Sequence, residues 1–196
     1  LAKQYRFEQS GELMGLQRVR TFCLADAHII CANEEQAVAE ISMVLDLIEY
    51  VTSVFGLTLD TDYRYRLSLG NRENVEKYYK NDAGWEKAEG LLRTLMRERG
   101  SQFEEAKDEA AFYGPKIDIQ MKNVNGKEDT AFTVQYDFCM PERFDLSYIG
   151  EDGAKHRAFV VHRSSIGAIE RIMAFLIEKY AGAFPLWLSP VQIKVL

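Results

Sequence analysis

The spacing of apolar and polar positions changes repeatedly along the chain, and each change predicts a different element. Alternation predicts strands, whereas apolar residues three or four positions apart predict the buried face of a helix. The predicted strands are residues 1–8, 18–30, 63–69, 102–106, 111–122, 130–138 and 156–162. The predicted helices are residues 33–56, most of 71–100, and 164–182. Short links between strands favour antiparallel pairing, so we predict an α+β fold: an antiparallel sheet flanked by helices, which pack on one face.

The stretch 18–28 combines a small apolar face with a polar one. Because side chains alternate along a strand, its odd positions form the apolar face. Its even positions are Arg18, Arg20, Phe22, Leu24, Asp26 and His28. Two interpretations follow. The stretch is either a half-buried strand with a charged outer face, or the floor of a site for an anionic ligand with a planar ring and a metal at one end.

Composition and charge limit the classes of partner. The 196 residues carry a formal net charge of −6, which argues against a general nucleic-acid coat, because such a protein needs a basic surface. Cys23, Cys31 and Cys139 are scattered and form no CxxC pair, which predicts a reducing, intracellular compartment such as the cytoplasm. The sequence contains no signal peptide and no apolar run long enough to span a membrane, so we expect no membrane partner.

Arg6 and Glu8 lie two positions apart on the first predicted strand and therefore share a face. If a hairpin over 1–30 places that face beside the even face of the second strand, they join Arg18 and Phe22. Arginine forks bind phosphate oxygens, an aromatic ring stacks on a base, and a carboxylate accepts from a base amino group. These residues predict a nucleotide pocket, although the chain has neither a GxxxxGK[ST] nor a GxGxxG phosphate loop.

His28 and His162 each lie at the end of a predicted strand. Neutral imidazole is a common zinc ligand, so two histidines on neighbouring strands can begin a metal site; partly buried histidines with satisfied hydrogen bonds are the alternative. Cys23 and Cys31 lie an odd number of positions from His28 and point the other way on a regular strand. A third ligand must come from elsewhere, Cys139 included, or be missing.

Three further residues have a role that depends on packing. Tyr113 and Lys116 flank a Gly-Pro bend, which either aims a hydroxyl and an ammonium into a site or simply turns the chain. Arg171 lies on the last predicted helix. It is a surface arginine unless this helix packs against the sheet edge to which Arg18 points, in which case it is a phosphate ligand.

Together these segments resemble the catalytic core of class II aminoacyl-tRNA synthetases, most closely the threonine-specific enzymes. The segments that look like motif 2 are residues 5–8 and 15–22, and those that look like motif 3 are 162–163 and 167–171. Further similar segments are residues 26–29, 111–117, 134–138, 147–152 and 184–192. The resemblance implies a partial catalytic domain over 1–188 and the start of an anticodon-binding domain over 189–196, with a first strand at 191–196. Motif 1 is absent and Leu1 stands where a start would have methionine, so we expect a piece of that catalytic domain.

The resemblance also implies roles in binding ATP. Arg6 would hold the α-phosphate and the threonine carboxylate, and Arg18 would hold the γ-phosphate. Glu8 would meet the adenine amino group, while Phe22 would stack on adenine with Arg171 on its other side. The three arginines would be the catalytic residues, because they stabilise charge while the threonine carboxylate attacks the α-phosphate.

Other residues would face the sugar and the amino acid. Gln135 would face the nucleotide or its sugar, Asp26 would accept from the threonine hydroxyl, and Tyr113 and Lys116 would line the amino-acid and phosphate side. The implied zinc ligands are His28 and His162. The third would be a cysteine upstream of motif 2, outside this sequence, and magnesium would accompany ATP.

The implied function is ATP-dependent activation of threonine and its transfer to tRNA(Thr). The full-length protein would be a homodimer, and the loop over residues 9–17 would approach the tRNA acceptor end. One alternative is a truncated, non-catalytic relative that binds nucleotide or a partner chain, which Leu24-Ala25 favours because the family has a polar pair there. The other is a serine- or proline-specific enzyme, against which the pair of histidines and Asp26 argue.

Overall fold

Within residues 1–195, which the computed structural model describes, a six-stranded sheet forms the centre of the fold and two short two-stranded sheets accompany it. The strands are β1 (Ala2–Tyr5), β2 (Thr21–Leu24), β3 (Ala27–Cys31), β4 (Tyr63–Leu69), β5 (Phe103–Lys107), β6 (Lys116–Lys122), β7 (Glu128–Asp137), β8 (Ser147–Ile149), β9 (Lys155–Arg157) and β10 (Phe159–Ser164). The helices are α1 (Glu34–Val54), α2 (Asp82–Glu98), α3 (Met140–Arg143) and α4 (Ile169–Tyr180), and a 3-10 turn covers Leu186–Leu188. No helix in this range has the length and apolar character needed to cross a membrane.

The strand order across the central sheet is β3-β10-β7-β6-β4-β5. Four of its neighbouring pairs are antiparallel, as the short links predict, but β4 and β5 run parallel. A parallel pair needs a long crossover connection, and α2 provides it between these two strands. The expectation of a wholly antiparallel sheet is therefore wrong at this edge.

The two faces of the central sheet differ because side chains alternate along its strands. Ile117 and Ile119 of β6 and Phe132 of β7 are fully buried, in the same core as Ile41 and Leu45 of α1. Burial of one such side chain stabilises the fold by about 1.5–3 kcal/mol. The alternate residues of β6 and β7 are mostly polar, so the opposite face of the sheet is the one equipped to bind a ligand.

Helices α1 and α2 begin at side-chain caps, and α4 begins after a glycine turn. Asn33 Oδ1 accepts from the Gln36 backbone N–H at 2.7 Å and starts α1 where the sequence predicts it. α2 starts later than predicted, because residues 71–81 form turns and Asn81 is its cap. Its apolar stripe is buried, namely Trp85, Ala88, Leu92 and Leu95.

α4 begins at Ile169 rather than at the predicted Ser164. Ser164 still belongs to β10, and Gly167 turns the chain with a φ of +72°. A Cβ at position 167 would lie 2.1 Å from the Ala131 carbonyl oxygen, so this turn requires glycine. The turn brings the start of α4 against the strand β2.

The predicted strand over 18–30 is divided between two sheets. β2 pairs with β1 in a separate two-stranded sheet, whereas β3 pairs with β10 at the edge of the central sheet. Ala25 and Asp26 lie between them and belong to neither strand. The hairpin of β1 and β2 therefore stands apart from the central sheet.

Other predicted strands are shorter or divided. β1 ends at Tyr5 rather than at residue 8, and the predicted strand over 156–162 is divided into β9 and β10. Residues 111–115 form turns ahead of β6. Residues 191–195 have no regular structure, so the strand predicted there is not formed over these positions, and Leu196 lies outside the described residues.

Candidate functional site

A row of polar side chains crosses the central sheet on its free face. His28 of β3 is directly opposite His162 of β10, which is opposite Gln135 of β7. Gln135 is opposite Lys116 of β6, which in turn is opposite Ser68 of β4. Directly opposite residues project to the same face, so five successive strands contribute to one polar floor.

The part of this floor from His28 to Lys116 lies in a cleft of about 400 Å³. All the site residues expected from the sequence line it: Arg6, Glu8, Arg18, Phe22, Asp26, His28, Tyr113, Lys116, Gln135, His162 and Arg171. Leu24 also lines the cleft, in agreement with the even face of residues 18–28. The interpretation of that face as the floor of a site is the one that the geometry supports.

Arg20 departs from the expected face. Its guanidinium donates through Nε and Nη2 to the Glu8 carbonyl oxygen, at 3.2 and 3.1 Å, and lies 6.0 Å from the centroid of the Phe7 ring. Arg20 therefore joins the start of β2 to the segment that follows β1. Val19 lines the cleft although its parity predicts otherwise.

The two histidines meet edge to face, with their ring centroids 4.5 Å apart. His162 Nε2 lies 2.7 Å from Asp137 Oδ2, and the Tyr113 ring stacks on His162 at 4.7 Å. The Asp137 carboxylate therefore orients the imidazole ring of His162. Asp137 is itself fixed, because its Oδ1 accepts from the backbone N–H groups of Cys139 and Met140.

A zinc site needs at least a third protein ligand. The pair of imidazoles fits zinc in donor chemistry, and an Asp–His hydrogen bond of the kind seen at His162 orients histidine ligands. Within residues 1–195, however, no group of three or more His, Cys, Asp or Glu side chains could hold a metal ion. Cys139 is buried and does not complete the pair, so the described chain offers two ligands and not three.

The opposite end of the cleft carries the arginines of the hairpin. The Arg6 guanidinium lies 5.0 Å from the centroid of the Phe22 ring, which is a cation–π distance. Arg18 donates to Glu8 Oε2 from Nε and Nη2, at 3.1 and 2.9 Å, and Nη2 lies 3.6 Å from Glu12. The hydrogen bond to Glu8 raises the pKa of Arg18, so this guanidinium stays charged.

Arg171 is enclosed by the hairpin and the central sheet. Its Nε donates to the Gln17 carbonyl oxygen at 2.8 Å and its Nη1 to the Thr130 carbonyl oxygen at 2.5 Å. Burial lowers its pKa from the ordinary arginine value. Next to it on α4, Glu170 accepts through both carboxylate oxygens from the backbone N–H of Cys23, at 3.1 and 2.9 Å. α4 does pack where Arg18 points, so Arg171 is not a surface arginine.

Tyr113 is held at the centre of the cleft by a close turn. A Cβ on Gly114 would lie 1.8 Å from the Tyr136 carbonyl oxygen, so only glycine allows the chain to pass here. Tyr113 hydrogen-bonds through its hydroxyl to Gln135 Oε1. Burial, and to a smaller extent the charges of Asp137 and Asp26, raise its pKa to about 12, so the phenol remains a proton donor at neutral pH.

Two acidic residues were not predicted as site residues. Asp137 and Asp118 are both completely buried, the first beneath His162 and the second beside Lys116. Both lie on the polar parity of their strands, at an even spacing from Gln135 and from Lys116, and that spacing is the signal that identifies them.

Comparison with known proteins gives a consistent family. The family described as the tRNA synthetase class II core domain (G, H, P, S and T) matches residues 1–180. A threonine–tRNA ligase of Clostridium botulinum (strain Eklund 17B / Type B) is 53% identical over 192 residues, which are 98% of this chain and 29% of that protein. A threonine–tRNA ligase of Anoxybacillus flavithermus (strain DSM 21510 / WK1) is 51% identical over 196 residues, 100% of this chain and 30% of that protein. The chain thus spans under a third of the length of these relatives.

Solved structures agree with this. The RNA binding domain of threonyl-tRNA synthetase from Cryptosporidium parvum Iowa II superposes with a TM-score of 0.85 and 33% identity, covering 96% of this chain and 46% of that one. Putative threonyl-tRNA synthetase ThrRS-1 from Aeropyrum pernix gives a TM-score of 0.80 and 32% identity, covering 96% and 43%.

Proposed function

The chain belongs to the class II tRNA synthetase core-domain family, and on that premise we propose that it carries out ATP-dependent activation of threonine and its transfer to tRNA(Thr). The observation that carries the proposal is the convergence of every expected ligand residue on one cleft, from the hairpin, the central sheet and α4. Relatives that are about half identical and named threonine–tRNA ligases support the choice of amino acid.

The hairpin end of the cleft would bind ATP. Arg6 and Arg18 from the hairpin and Arg171 from α4 supply guanidiniums that suit phosphate oxygens, and Phe22 supplies a ring against which adenine can stack. Glu8, which now holds Arg18, would accept from the adenine amino group. Binding of ATP would then replace the Glu8–Arg18 ion pair with contacts to the nucleotide.

The histidine end would bind threonine. Asp26 and Tyr113 line this part of the cleft, where a carboxylate can accept from the threonine hydroxyl and a neutral phenol can donate. Lys116 also lines the cleft and is directly opposite Gln135, in the same row of the floor as His162. An ammonium at that place would meet the anionic group at which the two substrates react.

The reaction would proceed without a protein nucleophile. A threonine carboxylate oxygen attacks the α-phosphorus of ATP, the bond to the bridging oxygen breaks, and pyrophosphate leaves with its electron pair. A ribose hydroxyl of the tRNA then attacks the carbonyl carbon of the adenylate and AMP leaves. The protein holds the reacting groups in place and stabilises charge, with Arg6, Arg18 and Arg171 as catalytic residues and with the magnesium that accompanies ATP.

His28 and His162 would be two ligands of a zinc ion whose third protein ligand lies outside the described residues. Zinc would supply a Lewis acid that binds both the amino and the hydroxyl group of threonine. Valine has the same shape but no hydroxyl, so it would bind the zinc less well. The tRNA acceptor end would meet the loop over residues 9–17, and the full-length protein would be a homodimer.

Threonine-dependent exchange between ATP and pyrophosphate tests the proposal, measured together with zinc content on the natural polypeptide that contains residues 1–196. We expect exchange with threonine, and much less with serine or proline. No exchange at full zinc occupancy would reject the enzyme in favour of a non-catalytic relative. Exchange with serine or proline in place of threonine would reject threonine as the substrate but leave the assignment to the class II family unchanged.

A further inference from the structure

Asp118 is a buried carboxylate on the cleft floor that the proposed reaction does not use. It is 0% exposed, although it lines the cleft. Its Oδ2 accepts from Arg66 Nη2 at 3.1 Å and from Ser68 Oγ at 2.7 Å, and lies 2.9 Å from Lys116 Nζ. Its Oδ1 accepts from Thr133 Oγ1 at 2.9 Å. Four donors from three strands therefore meet at one carboxylate.

The charges in this cluster balance, and the Lys116 ammonium keeps N–H donors for a ligand. A carboxylate removed from water is stable as an ion only when charged partners and hydrogen bonds replace the water. Arg66 and Lys116 bring two positive charges to Asp118, and Glu109, 3.5 Å from Arg66, supplies a second negative charge on the far side of the cluster. An ammonium has three N–H donors, so contact with Asp118 leaves two for a ligand in the cleft.

The contact also fixes a flexible side chain. A free lysine side chain samples many rotamers and loses that freedom when its ammonium is held in one place. Lys116 and Asp118 are two positions apart on β6 and share a face, so their contact restrains the ammonium before any ligand binds. Placement matters because a displacement of about 1 Å of a reacting or binding group can cost about 10²-fold in rate.

We propose that Asp118 is a positioning residue that acts through Lys116. It touches no substrate; it holds the ammonium where this meets an anionic group, either a phosphate oxygen of ATP or the carboxylate of the amino acid. The proposal deepens the function proposed above and rests on it for the identity of the substrates. The fixing of the ammonium itself does not depend on that function and is measured separately.

The first measurement records the side-chain ammonium resonances of protein labelled with 15N-lysine, in the natural polypeptide that contains residues 1–196. We expect an ordered signal from the Lys116 ammonium, which its loss in Lys116→Ala assigns. This signal should disappear in Asp118→Asn and persist in Ser68→Ala. Ser68→Ala is the matched control, because it removes one donor to Asp118 and leaves the pair with Lys116 intact. A signal that survives in Asp118→Asn overturns the proposal, whether or not the protein activates threonine.

The second measurement is a double-mutant cycle on threonine-dependent exchange. Asp118→Asn and Lys116→Ala should each lower kcat about 10²-fold, and the double variant should be no worse than the poorer single variant. A rise in KM for ATP would assign the ammonium to phosphate, and a rise in KM for threonine would assign it to the carboxylate. Losses that multiply in the double variant would mean that Asp118 is merely structural and would overturn the proposal.

The two measurements separate this inference from the proposed function. An ordered ammonium in a wild-type protein without exchange activity rejects the function and keeps the positioning role. If Asp118→Asn does not fold, a rescue experiment replaces that variant: methylammonium is added to Lys116→Ala, in which Asp118 is still present. We expect a saturable recovery of kcat. Tetramethylammonium, which cannot donate a hydrogen bond, should give none. Absence of recovery with methylammonium counts against the proposal.

Discussion

Removal of the Glu170 carboxylate should loosen the hairpin of β1 and β2 and weaken ATP binding. Both carboxylate oxygens accept from the backbone N–H of Cys23, the neighbour of Phe22 on β2. A hydrogen bond to a charged group contributes about 1.5–3 kcal/mol. Each 1.4 kcal/mol is tenfold in affinity, so full loss of this contact corresponds to a Kd for ATP about 10–150-fold higher in Glu170→Ala.

Calorimetric titration with ATP measures this effect without any need for catalysis, and hydrogen exchange of the β2 amides reports the loosening directly. Glu170→Gln is the matched control, since it keeps an acceptor for Cys23 and removes only the negative charge from the first turn of α4. That charge contributes about 0.3–1 kcal/mol at a helix N-terminus, so the Gln variant should lose less than about fivefold. A Glu170→Ala protein that binds ATP within twofold of the wild type, with unchanged exchange at β2, would refute the reasoning.

Three other changes test separate parts of the structure. The folded-state pKa of Tyr113 is raised to about 12, so its contribution to stability is complete below pH 10 and is lost as pH rises through 12. Denaturant unfolding at pH 9 and 11 should therefore show a steeper loss, by up to about 1.4 kcal/mol per pH unit, in the wild type than in Tyr113→Phe; equal slopes would contradict this. Gly114→Ala places a Cβ against the Tyr136 carbonyl oxygen and should lower the free energy of unfolding by more than about 2 kcal/mol. Gly90→Ala, in α2 where a Cβ meets no atom within 4 Å, should raise it by about 0.5–1 kcal/mol in the same urea titration. Similar values for the two variants would contradict this. His28→Ala should lower bound zinc measured by mass spectrometry, and unchanged zinc would remove the metal from the proposal.

Residues whose role depends on parity could be placed from the sequence. Phe22, Asp26 and His28 share the cleft because two-residue spacing puts them on one face, and the interruption between β2 and β3 does not alter that spacing. Arg171 could not be placed from the sequence alone, because only the packing of its helix distinguishes a phosphate ligand from a surface arginine. Asn33 and Asn81 act as helix caps through their own short side chains. The start of α1 could be placed from the apolar spacing, whereas the turns before α2 have no clear pattern.

What the sequence did not reveal depends on contacts between distant strands. Parity places Asp118 and Asp137 on the polar face of their strands, but their complete burial follows from donors that other strands supply. The parallel pairing of β4 with β5 goes with the crossover through α2, which the alternation within either strand does not reveal. Arg20 lies on the polar parity but turns to the backbone of Glu8, a partner that exists only after the hairpin forms.

The joint at Ala25 and Asp26 sets a rule for insertions and deletions. It contains an even number of residues, so β2 and β3 keep the same alternation although they belong to different sheets. The register of β3 with β10 fixes His28 opposite His162, so a single residue added or removed here would put β2 out of phase with β3 and turn Phe22 away from the cleft, whereas a change of two residues would restore the phase. Natural insertions and deletions at this joint should therefore contain an even number of residues, whereas the loop over residues 9–17 can change by any number.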